Sequence, residues 1–165
     1  MSGEASFTLD VSEQTPLDFA AMSGDWNPLH TDAAYASETA YRRPVLHGAF
    51  SAGLVSRMAG MYLPGTDSLL HGMRLRFVSP IVPPATLIVT GRTTADNGDR
   101  GTVAVPVSDK KTGRLYTEAS YDFGRHRHGQ GLKETTAHAT ATVDIPSDDL
   151  ILVTGASGAL GKALG

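Results

Sequence analysis

The chain contains no cysteine. That excludes a disulfide framework and thiolate chemistry, and is compatible with a reducing compartment. No stretch approaches the roughly 18 consecutive apolar residues of a membrane-spanning helix, and the N-terminal segment lacks the basic start and apolar run of a secretory signal. The expected location is the cytoplasm. A basic excess is missing as well: 14 Lys and Arg stand against 17 Asp and Glu, a net charge of -3. A general nucleic-acid binder would carry the opposite balance. Tryptophan occurs only at Trp26, which reads as a packing or pocket-wall residue. What is present is ordinary for one globular domain: 165 residues, 41% hydrophobic and 19% charged, with 18 Gly and 9 Pro that imply many turns. A small-molecule or protein partner fits this composition.

Residues 6–11 alternate like a strand, and Gln14-Thr15-Pro16 offers a helix start with Thr15 as N-cap and Pro16 in the first turn. That helix runs through Phe19 and Met22 and stops at Ser23-Gly24, leaving residues 25–30 in an irregular segment where Pro28 forbids a continuing helix. A short helical piece over 32–37 follows. From Gly48 to about Tyr62 the sequence is nearly free of charge, with apolar residues on every side. Such a helix is expected to be buried all round, its glycines explained by close packing against a sheet. Strands are predicted over 68–79, 84–95, 100–109 and 114–123, divided by Pro83-Pro84, Asn97-Gly98 and Thr112-Gly113. Short connections of this kind imply an antiparallel meander. The predicted architecture is α+β, an antiparallel sheet of about five strands wrapped around one apolar helix.

Chemistry-bearing residues concentrate in one stretch: Ser23-Gly24-Asp25-Trp26-Asn27-Pro28-Leu29-His30, then Val45-Leu46-His47-Gly48. An Asp-x-Asn-Pro run alone is commonly a turn or helix stop. Together with His30, His47 and Gly48 in register, the stretch resembles the MaoC-like, R-specific hydratase family of the hotdog fold, and the resemblance extends over about 7–124. It implies a hotdog domain that reversibly adds water to a trans-2-enoyl thioester, without metal or redox cofactor, and a homodimer. It assigns Asp25 and His30 to water activation and proton transfer, with Asn27 orienting the loop or the water and Ser56 lining the pocket. A carboxylate and an imidazole can hold one water between them, which suits an addition needing both a base and an acid. Gly48 opens the apolar helix, so its N–H is the oxyanion-hole candidate for the thioester oxygen. The plainer alternatives are a tight-packing glycine at Gly48, a helix-capping or loop-bracing His47, and a satisfied core hydroxyl at Ser56.

Other groups are read more plainly. His126 and His128, alternating with Arg125 and Arg127, lack Cys or carboxylate ligands at metal spacing and are taken as solvated linker. Arg42, Arg43, Arg74 and Arg76 would suit the phosphates of coenzyme A or the acidic face of an acyl carrier protein, though each singly is ordinary surface charge. Residues 125–148 shift to Gly, His, Thr and Asp and are read as a linker holding a short strand over 140–145, which sets a domain at 1–124. Beyond it, Leu150-Ile151-Leu152-Val153 runs into Thr154-Gly155-x-x-Gly158-x-x-Gly161. This resembles the opening of a short-chain dehydrogenase/reductase. The rest of such a unit is missing, so residues 149–165 are expected to hold no nucleotide and to represent the start of a reductase fused to the hydratase.

Overall fold

The computed structural model describes residues 3–126 and the backbone of 150–152. In chain order the elements are β1 (Glu4–Val11), α1 (Thr15–Ser23), α2 (Pro28–Thr31), α3 (Ala33–Ser37), α4 (Ala49–Met61), β2 (Ser68–Phe77), β3 (Ala85–Asp96), β4 (Arg100–Ala104), β5 (Val107–Asp109), β6 (Leu115–Arg125) and β7 (Leu150–Leu152). The strands form one antiparallel sheet of order β1-β3-β4-β6-β2-β7, with β5 continuing between β3 and β6. The sheet wraps α4, the hotdog arrangement. No described helix is long and apolar enough to cross a membrane.

The antiparallel sheet is as predicted, but only part of it is a meander. β3, β4 with β5, and β6 follow one another, whereas β2 pairs with β6 and not with its neighbour in sequence, β3. Pro80, Pro83 and Pro84 crowd the link from β2 to β3, supply no N–H donors and disfavour a tight hairpin. The link instead runs past the site, where Ile81 O accepts the Leu46 N–H at 2.8 Å. The strand predicted over 100–109 is split at Pro106, which cannot donate to a ladder. The neighbouring Val105 N–H still reaches Ala119 O at 2.7 Å, so the two halves share one path.

Leu54, Val55, Met58 and Ala59 of α4 pack onto Leu75, Leu87, Val89, Val103 and Tyr121 of the sheet, all buried. Burial of each Val, Leu or Met side chain stabilises the fold by about 1.5–3 kcal/mol relative to exposure. The Tyr121 hydroxyl donates to Leu63 O just beyond α4. Burial pushes its phenol well above the ordinary tyrosine range, so it remains a donor.

Contrary to the expectation of burial on all sides, Gly53, Ser56, Arg57, Gly60 and Met61 form an exposed face of α4. A single sheet can cover only one side of a helix. A Cβ at Gly53 or Gly60 would meet nothing within 4 Å, so close packing does not explain them. The close approach is at Gly91 of β3, where a Cβ would stand 2.7 Å from the Met58 sulfur. The predicted linker starts later than expected, since Arg125 belongs to β6 and pairs with Asp96 at 2.7 Å. His126, also read as linker, is described, and its N–H reaches Asp67 O at 3.0 Å; residues 127–148 with Arg127, His128 and the strand over 140–145, and the glycines Gly155, Gly158 and Gly161, lie outside the described residues. Within the final segment, Leu150–Leu152 is a strand, antiparallel to Met73–Leu75 of β2.

Candidate active site

The site is built from short-range hydrogen bonds laid end to end. Gly24 closes α1 in the left-handed region, φ 78°, and its N–H reaches Ala20 O. Ser23 Oγ accepts the Asp25 N–H at 3.2 Å, and Asp25 Oδ1 in turn accepts the Asn27 N–H at 3.2 Å. Asn27 stands before a proline and is extended, with ψ 128°. Its Oδ1 caps the next turn by accepting the Leu29 N–H at 2.9 Å. Pro28 therefore opens α2 as well as ending the preceding loop, and His30 sits on a helical turn where the sequence predicted irregular chain. The Asn27 carboxamide oxygen thus braces the turn that carries His30. Asp32 caps α3 in the same manner, accepting from Ala34 and Tyr35.

Two longer-range bonds fix the imidazoles. His30 Nδ1 lies 2.8 Å from Val45 O. A carbonyl only accepts, so Nδ1 carries the hydrogen, and in the neutral ring it is Nε2 that holds the lone pair, the tautomer a general base requires. His47 is 1% exposed. Its Nε2–H donates to Asp25 O at 2.9 Å, and the same nitrogen stands 3.9 Å from Asp25 Oδ2. The two rings stack with centroids 3.9 Å apart, and Phe19 closes the other side of His47 at 4.9 Å. His47 thus braces the Asp25 loop and supports the His30 ring. The Asp25 side chain remains 54% exposed, able to meet water.

One donor atom each from Asp25, His30 and His47 lies within 4.8 Å of the others, a set that by type would suit a divalent ion. One nitrogen of each imidazole is already committed to a carbonyl. Beside the exposed Asp25 carboxylate, the ring nitrogens that remain are placed to hold a water and move its proton.

His30 lies on the walls of two cavities. One, about 320 Å³, is also lined by Gly48, Ser51, Phe77, Ile81 and Thr117. The other, about 340 Å³, carries Glu13, Arg42, Arg43 and Pro44. Gly48 is the N-cap of α4, and no described backbone carbonyl accepts its N–H. A Cβ there would stand 3.0 Å from the Phe77 ring, so glycine admits the close approach of that ring to the start of α4.

Not every predicted residue arrives. Ser56 is on the exposed face of α4. The hydroxyl-bearing residues that line the cavity are Tyr41, Ser79, Ser51, one turn from Gly48, and Thr117, which no local pattern marked. Trp26 is 58% exposed and lines neither cavity. Arg42 and Arg43 reach the second cavity, with Arg43 paired to Glu13 at 2.7 Å. Arg74 and Arg76 lie over a separate depression, where Arg76 pairs with Glu118.

Residues 2–114 match the family model described as MaoC like domain. The chain belongs to the MaoC-like family. An (R)-specific enoyl-CoA hydratase of Aeromonas caviae is 48% identical over 63 residues, which is 38% of this chain and 47% of that protein. The solved (R)-hydratase from A. caviae involved in PHA biosynthesis superimposes with a TM-score of 0.70 at 28% identity, over 76% of this chain and 96% of that one. A peroxisomal hydratase-dehydrogenase-epimerase of Neurospora crassa is 35% identical over 81 residues, 47% of this chain but 9% of that protein. The MaoC-like match with the curated Aeromonas relative thus spans about half of that protein's length.

Proposed function

We propose that this MaoC-like protein catalyses the reversible hydration of a trans-2-enoyl thioester to the (R)-3-hydroxyacyl thioester. The observation that carries this assignment is the tautomer lock: Val45 O holds the His30 Nδ1 hydrogen and leaves Nε2 basic, close to the exposed Asp25 carboxylate. A water held by Asp25 and His30 gives up a proton to the pair as its oxygen bonds to C3. The pair returns a proton to C2, so the double bond is consumed and H and OH are added. Negative charge gathers meanwhile on the thioester oxygen, where the Gly48 N–H at the start of α4 receives it. His47 holds the Asp25 backbone and takes no proton in this scheme. Neither a metal nor a redox cofactor enters it.

The thiol carrier is coenzyme A or an acyl carrier protein, and Arg42 and Arg43 beside His30 offer charge to the phosphates of the one or the acidic surface of the other. A homodimer belongs to the same proposal; exposed Met22 and Trp26 beside the site, and Phe77 and Val78 at the cavity, are apolar surface that a second copy would cover. We also propose that the glycine pattern Gly155, Gly158 and Gly161 marks the start of a reductase unit fused to the hydratase. The Neurospora relative, named for hydratase and dehydrogenase activities together, supports that arrangement. Cytoplasmic location is proposed on the cysteine-free composition, which is compatible with a reducing compartment.

Incubation with crotonyl-CoA, followed by loss of the enoyl absorbance, tests the assignment. Hydration is expected. Unchanged absorbance over several chain lengths, with thermal stabilisation by acyl-CoA, would replace it with a non-catalytic acyl-thioester-binding module.

A further inference from the structure

Resting on the hydratase assignment, we propose that Arg42 and Arg43 hold a phosphate of the thiol carrier, and that Glu13 occupies this site in the free protein and is displaced when the phosphate enters. Glu13 then sets how tightly phosphate-bearing substrates bind without touching the reacting atoms. The cavity of about 340 Å³ that contains His30 has Arg42, Arg43 and Glu13 as its charged lining, one cation in excess. Proline walls surround them at Pro16, Pro44 and Pro83. A concave space of that size admits a small anionic group on an arm and shuts out the surface of a folded protein.

Arg43 Nη2 donates to Glu13 Oε1 at 2.7 Å, with the arginine side chain 50% exposed and the glutamate 75%. Glu13 stands in the link before α1 and Arg43 in the link before α4, so the pair joins two walls of the cavity. An ion pair this exposed is weak. A phosphate that accepts from two guanidiniums makes stronger, charge-assisted bonds. Exchange of carboxylate for phosphate therefore costs little and returns Glu13 to water. Arg42 carries a separate mark. Its φ is 62°, in the left-handed region that glycine enters freely and a residue with a side chain enters only at a cost. The turn is held by the Arg42 N–H on Thr39 O and the Tyr41 N–H on Thr39 Oγ1, both at 3.2 Å. The guanidinium reaches Ser37 O at 3.3 Å. An arginine kept where glycine would rest unstrained, on a wall shared with His30, points to a use for its charge.

The test compares the full chain with its Glu13→Gln, Arg43→Gln and Arg42→Gly variants and the double variant of the first two. The substrates are crotonyl-CoA, crotonyl-phosphopantetheine and crotonyl-pantetheine, the last without phosphate. All three side chains are exposed, so none of these changes opens the core. Glu13→Gln is expected to raise kcat/KM for crotonyl-CoA relative to crotonyl-pantetheine by about two- to fivefold, the reach of an exposed ion pair. Arg43→Gln should lower that ratio about tenfold, and Glu13→Gln added to it should give no rise, because the carboxylate acts through Arg43. Arg42→Gly should lower the ratio without lowering Tm, since the strain leaves with the side chain. Either phosphate source supports the site: an effect already present with phosphopantetheine places the contact at the arm's own phosphate, and one seen only with coenzyme A places it at the nucleotide. Ratios that the variants leave unmoved would overturn the proposal. So would losses confined to a crotonyl-loaded acyl carrier protein, which would turn the arginines toward that protein's acidic surface. Calorimetric titration with coenzyme A separates this site from the hydratase assignment. Tighter binding in Glu13→Gln and weaker binding in Arg43→Gln, with no hydration by any form, supports the site and sinks the hydratase; hydration with fixed ratios does the reverse.

Discussion

The segment from Gly24 to Gly48 and the sheet beneath it are held by different forces. The segment is polar and largely exposed, and its conformation is written by caps and turns in which Asp25, Asn27 and Asp32 each bond the backbone two or three residues on. The sheet is held by partners far apart in the chain, such as Phe77 opposite Thr117 and Leu9 opposite Leu87. The hydrogen bonds that tie the segment to the links flanking the strands include Leu46 to Ile81 O and Arg43 to Glu13. Such a division lets the reacting groups stay wet and polar without placing unmet charge in the core. It also separates two ways of failing: loss of rate and loss of fold.

The sharpest test of that separation is at the reacting pair. Asp25→Asn and His30→Gln are each expected to lower kcat by about 10²–10⁴-fold while leaving Tm near the wild-type value. Retained activity in either would sink the residue assignment. The opposite failure is expected at Leu87, fully buried in β3. Leu87→Ala should cost about 2–5 kcal/mol in denaturant unfolding, with kcat per folded molecule little changed. A variant that loses rate but not stability there would break the comparison.

His47 lies between the two regions and should show a mixed phenotype. His47→Phe keeps an aromatic ring between Phe19 and His30 and deletes the N–H that holds Asp25 O. Loosening the Asp25 loop is expected to reduce kcat by about 10–10²-fold. KM should move less, and Asp25→Asn added to it should cost less than the two losses multiplied. Full additivity would show that His47 acts elsewhere.

The smallest effect concerns the frame alone. The Arg125 guanidinium, and next the Gly98 N–H, hold the Asp96 carboxyl well below its ordinary value of 3.8. Because the folded pKa is the lower one, the stabilisation is complete above that ordinary value and is lost as pH falls through the folded pKa. Asp96→Asn should therefore lower Tm at neutral pH, the gap to wild type should narrow in acid, and turnover should stay unchanged. A gap that is constant with pH would show that the pair contributes no such linkage.

Much of the site was legible because its geometry is local. Gly24 as a C-cap, Asn27-Pro28 as a turn and His30 within reach of Asp25 follow from residues a few positions apart. Reading Pro28 only as a breaker hid the fact that it also starts α2. Ser56 was assigned to the pocket by resemblance; it stands on the exposed face of α4, and Ser51 is the α4 serine that lines the described cavity. The signal for Ser51 was its spacing of one turn from Gly48. Thr117 had no such signal, since it reaches the cavity only through pairing of β6 with β2.

By itself the sequence determined the element types, the antiparallel sheet around one apolar helix, and the Asp25–His30 segment, because propensity, proline, glycine and capping act over a few residues. Only the tertiary structure decided that β2 crosses to pair with β6, which face of α4 is covered, how His47 is stacked and bonded, and that Ser51 meets Thr117. Those outcomes depend on which distant surfaces exclude water together, a choice settled by packing and by the proline-filled link after β2, and not by local pattern.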